Sequence, residues 1–280
     1  MKNLTYDAEY FDAKQTLECG QIFRFKNSGN GYTVYSADKA CYIETKDGKT
    51  TVTVNDGDED YFENFFDIKT DYEKIVRTAE ASKYDILKKS ATVAKGIRIL
   101  NQNKTETLFS FIVSQNNRIP RIKSIIERLC SALGEEKEFS GAKYHAFPTA
   151  EAMATKGKAF YTGLGLGYRD EYMLETAKTL AGGFDTERLC DLVTPDLKKE
   201  LLTLKGVGPK VADCVSLFGY HRTDSFPVDT WIEKIYRQDF NGQLKSREKI
   251  AESFVCEFKE NGGYFQQYMF YYKRSLEGKE

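Results

Sequence analysis

Apolar and polar positions along the chain change rhythm near residue 60. Before that point they fall in short runs: Gln21-Ile22-Phe23-Arg24-Phe25, Tyr32-Thr33-Val34-Tyr35, Ala40-Cys41-Tyr42-Ile43-Glu44 and Thr51-Val52-Thr53-Val54. These runs are rich in aromatic and β-branched residues, and Gly29, Gly31, Asp47-Gly48 and Asp56-Gly57 punctuate them as turns. The pattern predicts an antiparallel sheet. Residues 58–67 and 72–98 lose the alternation and take helical spacing, as in Ile75 and Ala79, or Ile86, Lys89 and Val93. Helices are therefore expected to close an N-terminal domain over residues 1–100.

From about residue 104 only helix signals remain, so residues 101–280 are expected to form a helical body. Asn103 with Glu106 three positions later predicts a capping box ahead of Leu108, Phe109, Phe111 and Ile112. Thr194-Pro195 predicts a cap followed by a first-turn proline. Glycines at 163, 165, 167, 182 and 183 divide the body into short helices, and Gly134-Glu135-Glu136-Lys137 reads as a solvated loop. The fold class is α+β: a sheet with flanking helices, then a helical body.

With 280 residues, 41% of them hydrophobic, the chain can bury one large core or two to three smaller ones. No apolar run reaches the ~20 residues of a membrane helix. The opening Met1-Lys2-Asn3-Leu4-Thr5 lacks the pattern of a secretion signal, so a cytoplasmic protein without membrane contact is expected. Six cysteines (Cys19, Cys41, Cys130, Cys190, Cys214, Cys256) form no Cys-x-x-Cys pair. That argues against a zinc ribbon, a redox pair or a clustered iron-sulfur site. A net charge of -1 offers nucleic acid no global attraction, so any DNA binding must come from a locally basic face.

The segment Leu204-Lys205-Gly206-Val207-Gly208-Pro209-Lys210-Val211-Ala212-Asp213-Cys214 carries the most chemistry. Two glycines between helical patterns predict a tight hairpin, both able to take positive φ, whose amides can hold a phosphate. Pro209 fits the first helical position, which puts Lys210 in the first turn. There the dipole disfavours an ammonium, and the pKa is expected to fall. A neutral lysine is the nucleophile of Schiff-base chemistry. Cys214, four residues on, shares its face. Taken singly, Lys210 reads equally as a solvated lysine and Cys214 as a small core residue. Downstream, Asp229 in Phe226-Pro227-Val228-Asp229-Thr230-Trp231 reads as an N-cap kept ionised at a helix start. Such a carboxylate can also steady a developing sugar cation.

The hairpin, its Lys-Val-Ala-Asp-Cys and the Pro-Val-Asp after it resemble the helix-hairpin-helix glycosylase superfamily, and within it the 8-oxoguanine DNA glycosylases. Three further motifs carry the likeness: Cys19-Gly20-Gln21-Ile22-Phe23-Arg24, Ser114-Gln115-Asn116-Asn117-Arg118-Ile119-Pro120-Arg121-Ile122, and Leu164-Gly165-Leu166-Gly167-Tyr168-Arg169. The resemblance implies an N-terminal antiparallel β-sheet domain packed on an all-helical body, with the helix-hairpin-helix at about 195–218. The implied activity is removal of 8-oxoguanine from duplex DNA followed by β-lyase cleavage.

In that pattern Lys210 corresponds to the nucleophile and Asp229 to the catalytic carboxylate. Gly20 corresponds to the carbonyl that accepts the N7 hydrogen of 8-oxoguanine, although it reads equally as a turn glycine. Cys214 and Phe270 correspond to the two faces of a base sandwich and Gln266 to the amide on the Watson-Crick edge. For the last two the other reading is an amphipathic C-terminal helix with Tyr264, Phe265, Tyr268 and Phe270 as core. Asn116, Arg121, Tyr168 and Arg169 correspond to residues that fill the gap in the duplex and contact the orphan base, work that offsets part of the cost of flipping. Arg118 stands where eukaryotic members have asparagine, and Trp231 where they have histidine.

Gly206 and Gly208 are expected at the DNA backbone. Arg118, Arg121, Lys123 and Arg128 are expected to form the basic face, with Lys198, Lys199 and Lys205 extending it. The likeness also implies a monovalent or calcium ion on the carbonyls of Leu202, Leu204 and Val207, and no required cofactor. The expected partner is damaged duplex DNA, met by a monomer in a bacterial or archaeal cytoplasm, associated with the nucleoid. An alkylated-purine glycosylase and a non-catalytic DNA-binding module remain as alternatives.

Overall fold

A computed structural model describes residues 1–278. Five strands, β1 (Lys2–Asp7), β2 (Phe25–Ser28), β3 (Gly31–Ser36), β4 (Lys39–Lys46) and β5 (Lys49–Val54), form one antiparallel sheet in the order β1-β5-β4-β3-β2. A further hairpin joins β6 (Glu136–Phe139) to β7 (Ala142–His145). The helices are α1 (Ala13–Glu18), α2 (Glu59–Phe65), α3 (Tyr72–Glu80), α4 (Asp85–Ala94), α5 (Lys104–Ser114), α6 (Ile119–Leu133) and α7 (Ala150–Ala154). They continue with α8 (Lys158–Gly163), α9 (Arg169–Ala181), α10 (Thr194–Leu202), α11 (Pro209–Gly219), α12 (Thr230–Asp239), α13 (Arg247–Phe258) and α14 (Gly262–Leu276). No helix among the described residues is long and apolar enough to cross a membrane.

Two cores organise these elements. The smaller lies between the sheet and α1 and α2, where Val34, Ile43, Val52 and Val54 meet Phe11, Phe62, Phe65 and Phe66. The larger holds the helical body, and α3 and α4 contribute Tyr72, Val76, Leu87 and Ala91 to it. A boundary near residue 100 therefore separates two helices from the core they belong to. On α4 the buried face is Ile86, Leu87, Ser90, Ala91 and Ala94, while Lys89 and Val93 point outward.

Other expectations are corrected at single elements. Gln21 to Arg24 form no strand, because Gln21 turns its amide to the carbonyls of Thr16 (2.9 Å) and Arg98 (2.7 Å) and accepts from Leu100 N–H (2.9 Å). β1 escapes the pattern because it is an edge strand with only Leu4 and Tyr6 half-buried. The supposed loop after Gly134 is β6 and β7, turned at Ser140 (φ 51°) and Gly141 (φ 78°), a pair of positive φ angles that suits a two-residue hairpin. Its Phe139 and Tyr144 pack on Ala40, with the Tyr144 ring 5.1 Å from Tyr35. On α10 the cap falls one residue early, at Val193, and the Thr194 hydroxyl donates to Asp224 at 2.7 Å.

The Asn103 cap forms as expected, its side chain accepting from Glu106 N–H at 3.0 Å. The Glu106 carboxylate does not turn back to complete the box. It lies buried against Arg24 Nη1 (3.3 Å) and accepts from Ala37 N–H (2.7 Å), while Arg24 Nη2 donates to the His145 carbonyl at 2.5 Å. One ion pair thus joins the Gly20 loop, the sheet, α5 and the β6-β7 hairpin. Burial raises the Glu106 pKa against the pull of Arg24, so the pair fixes position more than it adds stability.

Glu106→Leu should therefore destabilise the fold by about 3–5 kcal/mol, because Arg24 is left buried and unpaired, whereas Arg24→Met/Glu106→Leu should recover much of the loss. Urea unfolding of the three proteins checks this, and a double variant no more stable than Glu106→Leu would count against it.

Candidate active site and DNA interface

α10 and α11 are joined by a hairpin at residues 203–208. Val207 N–H donates to the Leu204 carbonyl (3.1 Å), and Gly206 lies at φ 80°. A Cβ at Gly206 would sit 2.5 Å from Cγ of Tyr172, so the position admits no side chain. Gly208, by contrast, is extended (φ -96°, ψ 176°), not left-handed as expected, and nothing lies within 4 Å of where its Cβ would be. That open side lets another backbone approach. The hairpin is held from behind: Gln115 Nε2 donates to Gly206 O (2.8 Å) and Thr176 Oγ1 to Lys205 O (2.7 Å). Lys198 on α10 pairs with buried Asp213 on α11 at 2.6 Å. Burial pushes the Asp213 carboxyl up to about 6 against the pull of Lys198.

Gly208 caps α11 and Pro209 opens it, so Lys210 lies in the first turn as expected. Its Nζ stands 5.3 Å over the Phe111 ring. Asp229 caps α12, its Oδ1 accepting from Trp231 and Ile232 N–H, both at 2.9 Å. Lys210, Cys214 and Asp229 act on one another electrostatically.

The expected fall in the Lys210 pKa is reversed. Burial pulls the ammonium down, but the Cys214 sulfur and the Asp229 carboxylate outweigh it, and the amine is held above its ordinary value. Burial pushes the Cys214 thiol up to about 11, which makes it a neutral thiol near neutrality. Asp229 is then the anion that faces the ammonium. Burial raises its pKa, while the Ile232 N–H, Lys210 and the Trp231 N–H oppose the rise.

Gly20 lies against α14. Gly20 is at φ 90°, and its Cβ direction meets Phe270 Cε1 (3.4 Å) and Arg274 Nη1 (3.3 Å). Tyr264, Phe265 and Tyr268 are core, but Phe270 is only half-buried and lies off that face. Gln266 is buried with its Oε1 lacking any hydrogen-bond partner. The neighbouring Gln267, overlooked in sequence, donates to Cys19 O at 2.6 Å and ties α14 to the Gly20 loop.

A third group of residues lies where the loops at 115–118 and 163–168 meet. Asn116 is exposed at φ 45°, Arg118 is exposed at the start of α6, and Tyr168 is 52% exposed. Arg121 is exposed and reaches Gly165 O at 2.9 Å. Arg169 differs from expectation. It is 4% exposed, and it donates to the carbonyls of Gln115 (2.8 Å), Leu166 (3.0 Å) and Asn116 (3.0 Å). Such a guanidinium positions the Asn116 loop instead of facing solvent. Lys123 is half-buried, 3.2 Å over the Phe25 ring; burial lowers its pKa to about 8 against the pull of Glu18, so it adds less positive charge than the exposed Arg118, Arg121 and Arg128. Lys198, Lys199 and Lys205 are paired with Asp213, Asp196 and Glu171, so they add less positive charge than expected.

All six cysteines are free, and no cluster of metal-ligating side chains occurs among the described residues. At the hairpin, Leu202 ends α10, where carbonyls lack helical partners, and Leu204 O accepts a single bond. Three backbone carbonyls are hard oxygen donors, the chemistry a monovalent or calcium ion takes.

Comparison with known proteins places these features in context. Residues 3–108 match the family model described as 8-oxoguanine DNA glycosylase, N-terminal domain, and residues 109–258 match HhH-GPD superfamily base excision DNA repair protein. An N-glycosylase/DNA lyase of Saccharomyces cerevisiae is 40% identical over 159 residues, 52% of this chain but only 42% of that protein's length. A probable N-glycosylase/DNA lyase of Methanothermobacter thermautotrophicus is 30% identical over 76% of this chain and 73% of its own. Among solved structures, the Clostridium acetobutylicum 8-oxoguanine glycosylase/lyase in complex with double-stranded DNA containing cytosine opposite 8-oxoguanine superposes with a TM-score of 0.92. It is 30% identical and covered over 99% of both chains.

Gly206→Ala should distort the hairpin against Tyr172, costing about 1–3 kcal/mol of stability and weakening binding to undamaged duplex. Gly208→Ala should cost little stability. Thermal unfolding and a fluorescence anisotropy titration of both variants check the contrast.

Proposed function

Because the chain belongs to the HhH-GPD superfamily of base excision DNA repair proteins, with an N-terminal domain of the 8-oxoguanine DNA glycosylase type, we propose that it excises 8-oxoguanine from duplex DNA and then nicks the strand. The observation that carries the reading is the trio of Lys210, Cys214 and Asp229, which interact electrostatically, with Lys210 and Asp229 at two helix starts. Phosphate binding alone needs neither the thiol nor the carboxylate.

On this reading the damaged nucleotide leaves the stack and its base enters between Cys214 and Phe270. The Gly20 carbonyl accepts the N7 hydrogen, which guanine lacks, so guanine would set acceptor against acceptor in a buried place. The Gln266 amide, with an oxygen to satisfy, suits the Watson-Crick edge. Lys210 Nζ attacks C1′, the C1′–N9 bond breaks, the electron pair leaves with the base, and the proton lost from Nζ neutralises it. Asp229 steadies the positive charge that develops on the sugar. The sugar then opens to a Schiff base on Lys210, and loss of the C2′ proton expels the 3′ phosphate by β-elimination.

Asn116, Tyr168 and Arg121 are exposed where they can fill the vacated stack and meet the orphan base, and Arg118 and the open Gly208 amide suit the backbone. The carbonyls of Leu202, Leu204 and Val207 would hold a monovalent or calcium ion, whose charge would draw a phosphate to the hairpin. Every group used comes from one chain, so a monomer suffices.

Borohydride should trap the wild-type protein on duplex carrying 8-oxoguanine opposite cytosine. Lys210→Gln should trap none and lose roughly 10³-fold or more in single-turnover excision. Equal trapping by both proteins would refute the role of Lys210.

The pH dependence follows from the sign of the shift. Only the neutral amine attacks, and Lys210 is held above the ordinary lysine value, so kcat/KM should climb with pH through neutrality into the alkaline range. Asp229→Asn removes an anion that favours the ammonium. It should lower the maximal rate by about 10²–10⁴-fold while moving the alkaline limb to lower pH. A limb that stays in place would show that Asp229 does not act on the lysine.

A further inference from the structure

Gln266, Phe270 and Arg274 are spaced four apart on α14 and line one stripe of it, so an amide, a ring and a guanidinium follow one another along the wall that faces Gly20. Arg274 Nη1 is 3.3 Å from the Cβ direction of Gly20, and its guanidinium lies 5.3 Å over the Phe270 ring. It has no ion pair or side-chain hydrogen bond among the described residues. A cavity of about 880 Å³, lined by Gly20 and Arg274 but not by Gln266 or Phe270, opens beside the end of this stripe. Its charged lining is Lys14, Lys123 and Arg274 against Glu18, which already accepts from the Tyr32 hydroxyl at 2.8 Å. Unspent donors beside the carbonyl that reads one edge of a base call for an acceptor on that same edge.

Oxidation supplies one. It places a carbonyl oxygen on C8, between N7, whose hydrogen Gly20 would accept, and N9, where the bond to the sugar breaks. We propose that Arg274 donates to this C8 oxygen and is a specificity-determining residue for oxidised purines, reading the lesion directly while Gly20 reads its consequence at N7. This rests on the 8-oxoguanine reading given above. The contact also bears on rate. When the C1′–N9 bond breaks, the electron pair left on N9 delocalises onto the C8 oxygen, so the guanidinium holds more charge in the transition state than in the bound substrate. Guanine, with hydrogen on C8, gains neither effect. The competing use of these donors is a backbone phosphate of the flipped nucleotide, for which Lys14 and Lys123 are further cations.

The test compares wild type with Arg274→Leu on two duplexes, one carrying 8-oxoguanine opposite cytosine and one carrying a preformed abasic site. Single-turnover excision of the base should fall roughly 10- to 100-fold, the loss of one charge-assisted bond, while cleavage at the abasic site stays within about twofold. Retained cleavage also certifies the fold, and Arg274→Lys should restore part of the excision rate. Equal losses on both duplexes would assign the guanidinium to phosphate, and unchanged excision would remove it from the base. Either overturns the inference while leaving the proposed function standing. Wild-type protein that cleaves abasic DNA but leaves 8-oxoguanine in place would instead overturn both.

Discussion

Three buried glutamines, Gln21, Gln102 and Gln267, hold the backbone around Gly20. Gln21 satisfies its amide on Thr16, Arg98 and Leu100, and its own carbonyl accepts from Gln102 Nε2 at 2.8 Å. From the other side, Gln267 takes the Cys19 carbonyl. Displacing the loop by an ångström would leave several buried polar groups unpaired, at about 1–3 kcal/mol each. The role proposed for the Gly20 carbonyl, telling a donor from an acceptor, needs that rigidity, because a loop able to retreat would tolerate either base. Arg24 and Glu106 extend the same constraint to the sheet and to α5, so the N-terminal domain serves the site by fixing one edge of it.

Around Lys210 the electrostatics oppose one another. Burial favours a neutral lysine, whereas Cys214 and Asp229 favour an ammonium, and the second influence prevails in the free protein. The carboxylate proposed to steady the sugar cation is thus also a group that retards formation of the proposed nucleophile. A site of this kind is stored in its protonated form. It gains reactivity only when something offsets Asp229, as a positive charge growing on the sugar beside it would do. The thiol adds a polarisable, uncharged surface against which a base can pack.

Much of this was legible in the sequence, and the parts that were not share a physical cause. Local signals were sound: three of the four recognised β runs fall within strands, Pro209 starts α11, and Asn103 and Asp229 cap their helices. What escaped depends on partners distant in the chain. Gln21 to Arg24 look like a strand because they are apolar and aromatic, yet their hydrogen bonds go to residues about eighty positions away. β6 and β7 look like a solvated loop because their apolar residues pack on β4. Lys198 and Arg169 look like free cations until Asp213 and the Gln115 carbonyl are placed beside them. The lysine pKa differs in part from local expectation for another reason, since the Cys214 sulfur on the same helix opposes burial first and the Asp229 carboxylate of another helix adds to it.

The polar clamp around Gln115 joins two of the loops proposed to meet DNA. Its amide holds the hairpin at Gly206, and its carbonyl receives Arg169, which also holds Asn116 O. Asn116 is thereby kept at positive φ, a conformation that costs a non-glycine residue about 1 kcal/mol or more and persists only under such constraint. The cost is met in the free protein, before DNA arrives. A side chain already aimed outward can enter a gap in the stack without first ordering its loop, so more of the binding free energy remains to offset unstacking of the damaged base. Because the same glutamine touches both loops, a phosphate pressing on the hairpin and a base pair pressing on Asn116 load one hydrogen-bonded unit. That unit is stiff because Arg169 commits its donors to carbonyls of the two loops it joins.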